Sequence, residues 1–229
     1  MLYNTLVIYM KKLLKKIEIK PLLISTFLVL FQSFCYFISK LLEGDLNLIG
    51  GVLDSKIPFN IYFIIPYAFW YFMLFIIPYY LYVKKDKESF IKYFISYILV
   101  VIVSNIIFVI YPTTVIRPEV SGSNILELMT RLIFYIDTPI QNCFPSLHCA
   151  MSMLWLLFIL DSKKSSTSFK IWVPIVSILI MLSTLFVKQH VIIDLISGDV
   201  IALIVYIIIK YENKLTNKCK KILKEDYKK

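Results

Sequence analysis

Charged residues are scarce in this chain, and histidine and arginine are nearly absent from it. Only 17% of the 229 residues are charged, while 59% are hydrophobic. Soluble domains average about 25% charged and about 45–50% apolar residues. One water-soluble core could not hide so much apolar surface, so the composition excludes an ordinary soluble domain and predicts an integral membrane protein.

Cysteine is also rare, and its spacing excludes two further classes of protein. The four cysteines include no C-x-x-C pair, and Cys143 and Cys149 lie six residues apart. This pattern fits neither a disulfide framework nor a zinc ribbon. The formal net charge is +10, but the basic residues are dispersed between apolar runs instead of forming one patch. The dispersed charge therefore predicts no nucleic-acid partner.

The chain contains long apolar runs in place of charged residues. A membrane-spanning helix needs roughly 20 apolar residues. Uncharged runs of about this length occupy residues 21–39, 57–83, 93–116, 138–160 and 171–187, and a last apolar run, 191–209, carries Asp194 and Asp199. The sequence therefore predicts an all-α, polytopic membrane protein whose six-transmembrane-helix bundle occupies residues 21–210.

Lysine placement predicts how this bundle is oriented. Twenty of the 25 basic residues fall in residues 1–20, in the connections after the second and fourth predicted spans, and in the tail from Lys210. Basic connections mark the cytoplasmic side. We therefore expect a multi-pass protein of the cell membrane with both termini in the cytoplasm. The only two arginines, Arg117 and Arg131, fall on the outer side against this trend.

Three segments outside the spans carry further predictions. Residues 1–20 combine apolar positions at helical spacing with lysines, which predicts an amphipathic helix on the cytoplasmic leaflet. Residues 211–229 are predicted to form a basic cytoplasmic tail. The longest outer connection is 112–142, within which residues 125–136 are expected to form an interfacial helix.

The first histidine lies at the predicted outer start of the fourth span. His148 follows Pro145 and Ser146, and proline is favoured in the first turn of a helix. Helix N-termini present unpaired N–H groups and the positive end of the helix dipole, which together attract anions. This position therefore favours an anion-binding role.

The second histidine begins the sixth span on the same predicted side. Asp194 follows His190 at i+4, which places the carboxylate on the same helix face. A carboxylate in that position can fix the tautomer of the imidazole. Lys188 and Arg117 are expected at this membrane face too, so two histidines, one carboxylate and two cations converge from three distant segments.

These residues resemble the signatures of the membrane type-2 phosphatidic acid phosphatase superfamily, which are KxxxxxxRP, PSxH and SRxxxxxHxxxD. The matching residues, in signature order, are Arg117 and Pro118; Pro145, Ser146 and His148; and Ser183, His190 and Asp194. Gly198 falls where the family often has a glycine for close helix packing.

The chain departs from the family pattern at two cationic positions. Ile110 occupies the position of the lysine in the first signature, and Thr184 that of the arginine in the third. The run Lys188-Gln189-His190 resembles the branch that includes inositol-phosphorylceramide-synthase-like proteins, in which a nearby lysine would substitute.

The resemblance implies transfer of a phosphoryl group from a phosphorylated lipid without a metal or another cofactor. His190 would attack phosphorus to form a phosphohistidine, and Asp194 would orient its ring. His148 would protonate the leaving oxygen and then activate water or an alcohol. The phosphate-binding residues that it implies are Arg117, Lys188 and Ser146.

The predicted function is therefore a lipid phosphatase, acting at the outer face on an isoprenoid diphosphate or a phosphatidate-like lipid. A lipid headgroup phosphotransferase with an alcohol acceptor is the alternative. A second alternative is a family member that has lost catalysis, because two signature cations are missing.

A third alternative, from a different class of protein, is a metal-binding transporter, because His148, Cys149, His190 and Asp194 could bind zinc. Against it, Arg117 and Lys188 would repel a cation. The substrate, the acceptor and the oligomeric state stay open.

Overall fold

Helices make up most of the chain in the computed structural model, which describes residues 18–42, 44–212 and 217. The α-helices are α1 (Ile19–Leu42), α2 (Val52–Lys56), α3 (Ile64–Val83), α4 (Lys87–Ile110), α5 (Ile125–Ile136), α6 (Leu147–Asp161), α7 (Thr167–Phe186) and α8 (Ile192–Tyr211). A 3₁₀ turn at Ile61–Phe63 precedes α3, and β1 (Asn47–Leu48) pairs in parallel with β2 (Thr113–Thr114). The predicted helix at 1–20 and tail at 211–229 lie almost wholly outside the described residues.

Five of these helices are long and apolar enough to cross a membrane, namely α1, α3 with its 3₁₀ turn, α4, α7 and α8. They overlap five of the six predicted spans. The predicted helix at 125–136 is present as α5 and has the same ends. Large apolar side chains on α1 are exposed, among them Leu23, Phe27 and Phe34. This exposure suits a helix that faces lipid, because lipid tails are as apolar as these side chains.

In the remaining predicted span, 138–160, Pro145 predicts the start of the helix, and this is confirmed: α6 starts at Leu147, with Ser146 as its N-cap. Helix α6 has 15 residues, which gives a length of about 22 Å. Residues 138–146 are not helical because this stretch contains Pro139 and Pro145. Proline has no backbone N–H to donate, and it disfavours helical geometry in the residue before it.

The lysine-rich connections meet at one end of the bundle, called the lysine end here. The Lys164 ammonium donates to the Lys85 carbonyl oxygen at 2.9 Å, which joins the α3–α4 turn to the α6–α7 turn. The Lys210 ammonium at the end of α8 donates to the Asp161 carboxylate at 2.7 Å. His148 lies in the first turn of α6, and His190 lies two residues before α8. Both histidines are therefore at the other end of the bundle, called the histidine end here.

At the histidine end, α8 approaches the start of α6 closely. A Cβ atom added to Gly198 would lie 2.4 Å from the carbonyl oxygen of Ser146 and 3.2 Å from the amide nitrogen of Ala150. One turn earlier in α8, the Asp194 carbonyl oxygen accepts a hydrogen bond from the Ser146 amide at 3.0 Å. The absence of a side chain at residue 198 therefore lets the segments that carry the two histidines meet.

Replacing Gly198 by alanine is expected to destabilise the bundle by about 1–3 kcal/mol, since the added methyl group must push backbone away from backbone. The free energy of unfolding in detergent measures this effect. The matched control is Gly44→Ala, because a Cβ there has no heavy atom within 4 Å. Equal stability of the two variants would contradict the close packing described above.

Candidate active site

The carboxylate of Asp194 holds His190 in one orientation. Its Oδ2 accepts from the Val191 amide at 3.0 Å and lies 3.2 Å from Nδ1 of His190. Asp194 is fully buried. An ionised carboxylate can only accept, so this contact keeps the imidazole proton on Nδ1 and leaves the lone pair on Nε2. His190 is therefore arranged as a nucleophile or base through Nε2.

The second histidine lies beside the first in a box of aromatic rings. The ring centroids of His148 and His190 are 5.6 Å apart. The ring of His148 also lies 4.6 Å from Tyr67 and 4.2 Å from Trp70 between centroids, and Tyr71 meets it edge-on. Within the described residues, Nε2 of His148 has no hydrogen-bond partner. This nitrogen is free to exchange a proton with a bound molecule.

The sequence analysis did not single out Tyr67, Trp70 and Tyr71. Their only sequence signal is the i, i+3, i+4 spacing of Tyr67, Trp70 and Tyr71, which puts them on one face of α3. That spacing is equally typical of an ordinary core face. The contact with His148 arises from how α3 packs on α6, which no local pattern encodes.

Arg117 is held by two residues that the sequence analysis did not single out. Its Nη2 donates to the carboxylate of Asp137 and to the amide oxygen of Gln189. The guanidinium carbon lies 5.1 Å from the ring centroid of Phe134. The side chain is only 5% exposed, and its Nε has no partner within the described residues. Arg117 is thus fixed in place with one donor unused.

Asp137 links Arg117 to helix α1. Its Oδ1 accepts from the Tyr36 hydroxyl at 2.6 Å and lies 3.5 Å from the Lys40 ammonium. Cys143 is nearby in the same connection and is buried as well.

Ser146 and Lys188, the other two predicted phosphate ligands, use their side chains for structure. The Ser146 hydroxyl caps α6 by accepting from the Cys149 amide at 3.3 Å. The Lys188 ammonium donates to the carbonyl oxygens of Asp54 and Ile57. Their role in binding phosphate stays a prediction.

Two cavities lie beside these residues. The first, about 170 Å³, is lined by both histidines and Arg117 together with Asp137 and the aromatic residues of α3. The second, about 530 Å³, is lined by His190, Arg117 and Lys188 together with parts of residues 48–59 and 115–118. His190 and Arg117 therefore line both cavities.

The ligand set of the zinc alternative is not assembled in the part of the chain that the structure describes. Within it, no group of three or more histidine, cysteine, aspartate or glutamate side chains is placed to hold a metal ion. The Cys149 thiol contacts the Thr184 hydroxyl at 3.7 Å instead. That alternative therefore has no geometric support among these residues.

Comparison with known proteins gives one result. The sequence model described as the PAP2 superfamily matches residues 45–208, well over half of the 229 residues. The match extends from β1 into α8 and contains every predicted site residue, but it leaves α1 outside. No curated protein and no solved structure matches the chain significantly.

Proposed function

We propose that this chain, which belongs to the PAP2 superfamily, is an integral membrane lipid phosphatase working through a phosphohistidine intermediate. The observation that carries this proposal is the pair of imidazoles 5.6 Å apart, one of them oriented by a buried carboxylate. Covalent catalysis needs a nucleophile, an acid or base beside it and a group that orients the nucleophile. His190, His148 and Asp194 have this arrangement.

In the first step, Nε2 of His190 forms a bond to phosphorus while the bond from phosphorus to the leaving oxygen breaks. Protonated His148 donates its proton to that oxygen. Asp194 stabilises the positive charge that develops on the His190 ring. The products are a phosphohistidine, the released alcohol or phosphate, and neutral His148.

In the second step, neutral His148 takes a proton from a water molecule whose oxygen attacks phosphorus. The bond between phosphorus and Nε2 breaks, which restores His190 and protonated His148 and releases phosphate. Arg117 supplies positive charge to the phosphoryl oxygens in both steps, since Asp137 and Gln189 hold its guanidinium beside His190. Lys188 and Ser146 contribute to phosphate binding if substrate displaces their present partners.

The proposed bundle crosses the cell membrane six times, with α6 as the short fourth crossing. At about 22 Å, α6 does not reach across a hydrocarbon layer of about 30 Å. Non-helical residues at its start would then lie at membrane depth, which is tolerated only where such backbone is buried in protein. Asn142, Cys143 and Ser146 are indeed buried.

The histidine end is proposed to face outward, and cysteine labelling tests this orientation. In a background without the four natural cysteines, a cysteine at Ser123 should react with an impermeant maleimide from outside. One at Ser168 should react only after the membrane is opened. Both serines are exposed, and they lie near opposite ends of the bundle. Equal labelling of the two from outside would overturn the orientation.

Phosphate release from lipids in the presence of EDTA tests the function itself. Phosphatidate and an isoprenoid diphosphate should both be offered, because both belong to the proposed class of lipid substrate. We expect turnover of at least one lipid to persist in EDTA, since the cations that the mechanism uses are side chains. Loss of activity on chelation, restored by zinc or magnesium, would point to metal catalysis instead.

A further inference from the structure

Helix α8, whose first turn carries Asp194, begins at a residue that cannot cap it. The first backbone N–H groups of a helix have no partner within the helix, and a polar side chain at the N-cap usually accepts from them. The N-cap of α8 is Val191, and no hydrogen bond from that side chain caps the helix. The amide of Ile192, the first residue inside α8, therefore needs an acceptor from another part of the chain.

Asp54 supplies this acceptor from residues 44–60, called the α1–α3 connection here. Its Oδ1 accepts from the Ile192 amide at 2.8 Å, across 138 positions of the chain. Its Oδ2 accepts from the Gly51 amide at 2.8 Å, so each carboxylate oxygen has a backbone donor. A negative charge at a helix N-terminus is also favourable, because it faces the positive end of the helix dipole. Asp54 therefore caps α8 in place of Val191.

The same connection holds the lysine of the second cavity. The Lys188 ammonium donates to the carbonyl oxygen of Asp54 at 2.9 Å and to that of Ile57. Asp54, Lys188 and His190 all line this cavity. Asp54 therefore contacts the chain on both sides of His190, through its carbonyl oxygen before that residue and through its carboxylate after it.

The α1–α3 connection is itself attached to the bundle on both sides of Asp54. Before Asp54, β1 pairs with β2, which precedes Arg117 in the chain. After it, the Asn60 amide donates to the carbonyl oxygen of Phe186 at the end of α7, at 2.9 Å. The position of the Asp54 carboxylate is therefore set by contacts with two other segments of the bundle.

We infer that Asp54 is a positioning residue for the nucleophile, an inference that rests on the proposed function. By capping Ile192, its carboxylate holds the first turn of α8 where Oδ2 of Asp194 lies 3.2 Å from Nδ1 of His190. Without this cap the turn is held less firmly, so Asp194 spends less time against the ring and the proton no longer stays on Nδ1. Asp54 does not touch the reacting atoms and acts through Asp194.

Two variants separate the position of the Asp54 cap from its charge. Asparagine caps helices about as well as aspartate, so Asp54→Asn should keep the bond to the Ile192 amide although the charge is lost. Asp54→Glu keeps the charge, but its side chain is one methylene longer, so the acceptor is misplaced. In single turnovers of the purified full-length protein with p-nitrophenyl phosphate, the limiting rate of nitrophenol release measures formation of the phosphoenzyme.

This limiting rate should fall by about tenfold in Asp54→Glu, which corresponds to about 1.4 kcal/mol and lies within the usual effect of one helix cap. In Asp54→Asn the rate should fall by less than about threefold, because asparagine and aspartate are similar caps. Should Asp54→Glu fail to fold, Asp54→Ala takes its place with the same expected loss, since alanine removes the acceptor altogether.

The tautomer of His190 is the measurement that a general loss of stability would not change. The chain has two histidines, so ¹⁵N-histidine labelling of protein without an affinity tag gives two sets of ring signals. The set that His190→Ala removes belongs to His190. At alkaline pH, where the ring is neutral, its ¹⁵N shifts report which nitrogen carries the proton. The wild type and Asp54→Asn should show the Nδ1–H form, and Asp54→Glu a mixture of both forms.

The matched controls are Asp45→Asn and Asp45→Glu. Asp45 is an exposed aspartate of the same connection, and it does not line the second cavity. Both control variants should equal the wild type in the rate of nitrophenol release and in the tautomer of His190. An equal loss in Asp45→Glu and Asp54→Glu would overturn the inference, since the effect would then not depend on the cap.

Failure of this inference is distinguishable from failure of the proposed function. No release of nitrophenol, or of phosphate from any lipid, by the wild type would refute the proposed function, and the tautomer would still decide whether Asp54 positions His190. If the wild type is active, an unchanged rate and tautomer in folded Asp54→Glu would overturn the positioning role while the phosphatase proposal stands. Equal losses in Asp54→Asn and Asp54→Glu, with the Nδ1–H form intact in both, would also overturn it, because charge and not capping would then explain them.

Discussion

Replacing His190 by alanine should reduce turnover on the order of 10⁴–10⁶-fold and leave no phosphoenzyme to trap. Alanine removes the only atom proposed to bond to phosphorus. The first turn of α8 should survive, because the carboxylate of Asp194 still accepts from the Val191 amide at 3.0 Å. Phosphate release from the best lipid substrate measures the effect.

The thermal midpoint of unfolding in detergent is the control for His190→Ala. A midpoint close to that of the wild type would assign the loss to chemistry instead of misfolding. Turnover within tenfold of the wild type in a folded His190→Ala variant would refute a nucleophilic role for this residue.

Replacing His148 by alanine should affect the kinetics differently from replacing His190, because His148 is proposed to transfer protons and not to bond to phosphorus. Turnover of alkyl phosphates, lipids included, should fall by roughly 10²–10⁴-fold. Formation of the phosphoenzyme from p-nitrophenyl phosphate should fall much less, since nitrophenolate leaves readily without a proton. The comparison of the two donors in rapid-quench experiments separates these effects.

Two findings would contradict this role of His148. An equal loss with alkyl and aryl donors would show that His148 acts in binding or packing, as its contacts with Tyr67 and Trp70 permit. A loss confined to the aryl donor would be incompatible with proton donation to the leaving group.

The sequence correctly predicted those helices whose ends are marked by neighbouring residues in the chain. Helix 125–136 has the ends that its pattern indicates, since Asn124 caps it and Glu127 completes a capping box. The uncharged run 138–160 does not by itself distinguish helix from buried loop. Pro145 and Ser146 do predict where the helix begins, and α6 starts at Leu147 with Ser146 as its N-cap.

The pairing of His148 with His190 was predictable, because both begin spans on the same predicted side. The partners of Arg117 were not. Asp137 lies 20 residues and Gln189 lies 72 residues away along the chain. Gln189 belongs to the quoted run Lys188-Gln189-His190, but no sequence pattern pairs either residue with Arg117. Such long-range contacts depend on how three connections fold over the ends of the helices, which charge and hydropathy patterns do not encode.

The position of the trapped phosphoryl group tests the central claim most directly. The protein is mixed with labelled p-nitrophenyl phosphate, quenched at alkaline pH because phosphohistidine is acid-labile, digested and analysed by mass spectrometry. The account predicts one labelled peptide, phosphorylated on His190 and absent from His190→Ala. Label on His148 would reverse the proposed roles. Rapid turnover with no labelled histidine at all would contradict a covalent mechanism.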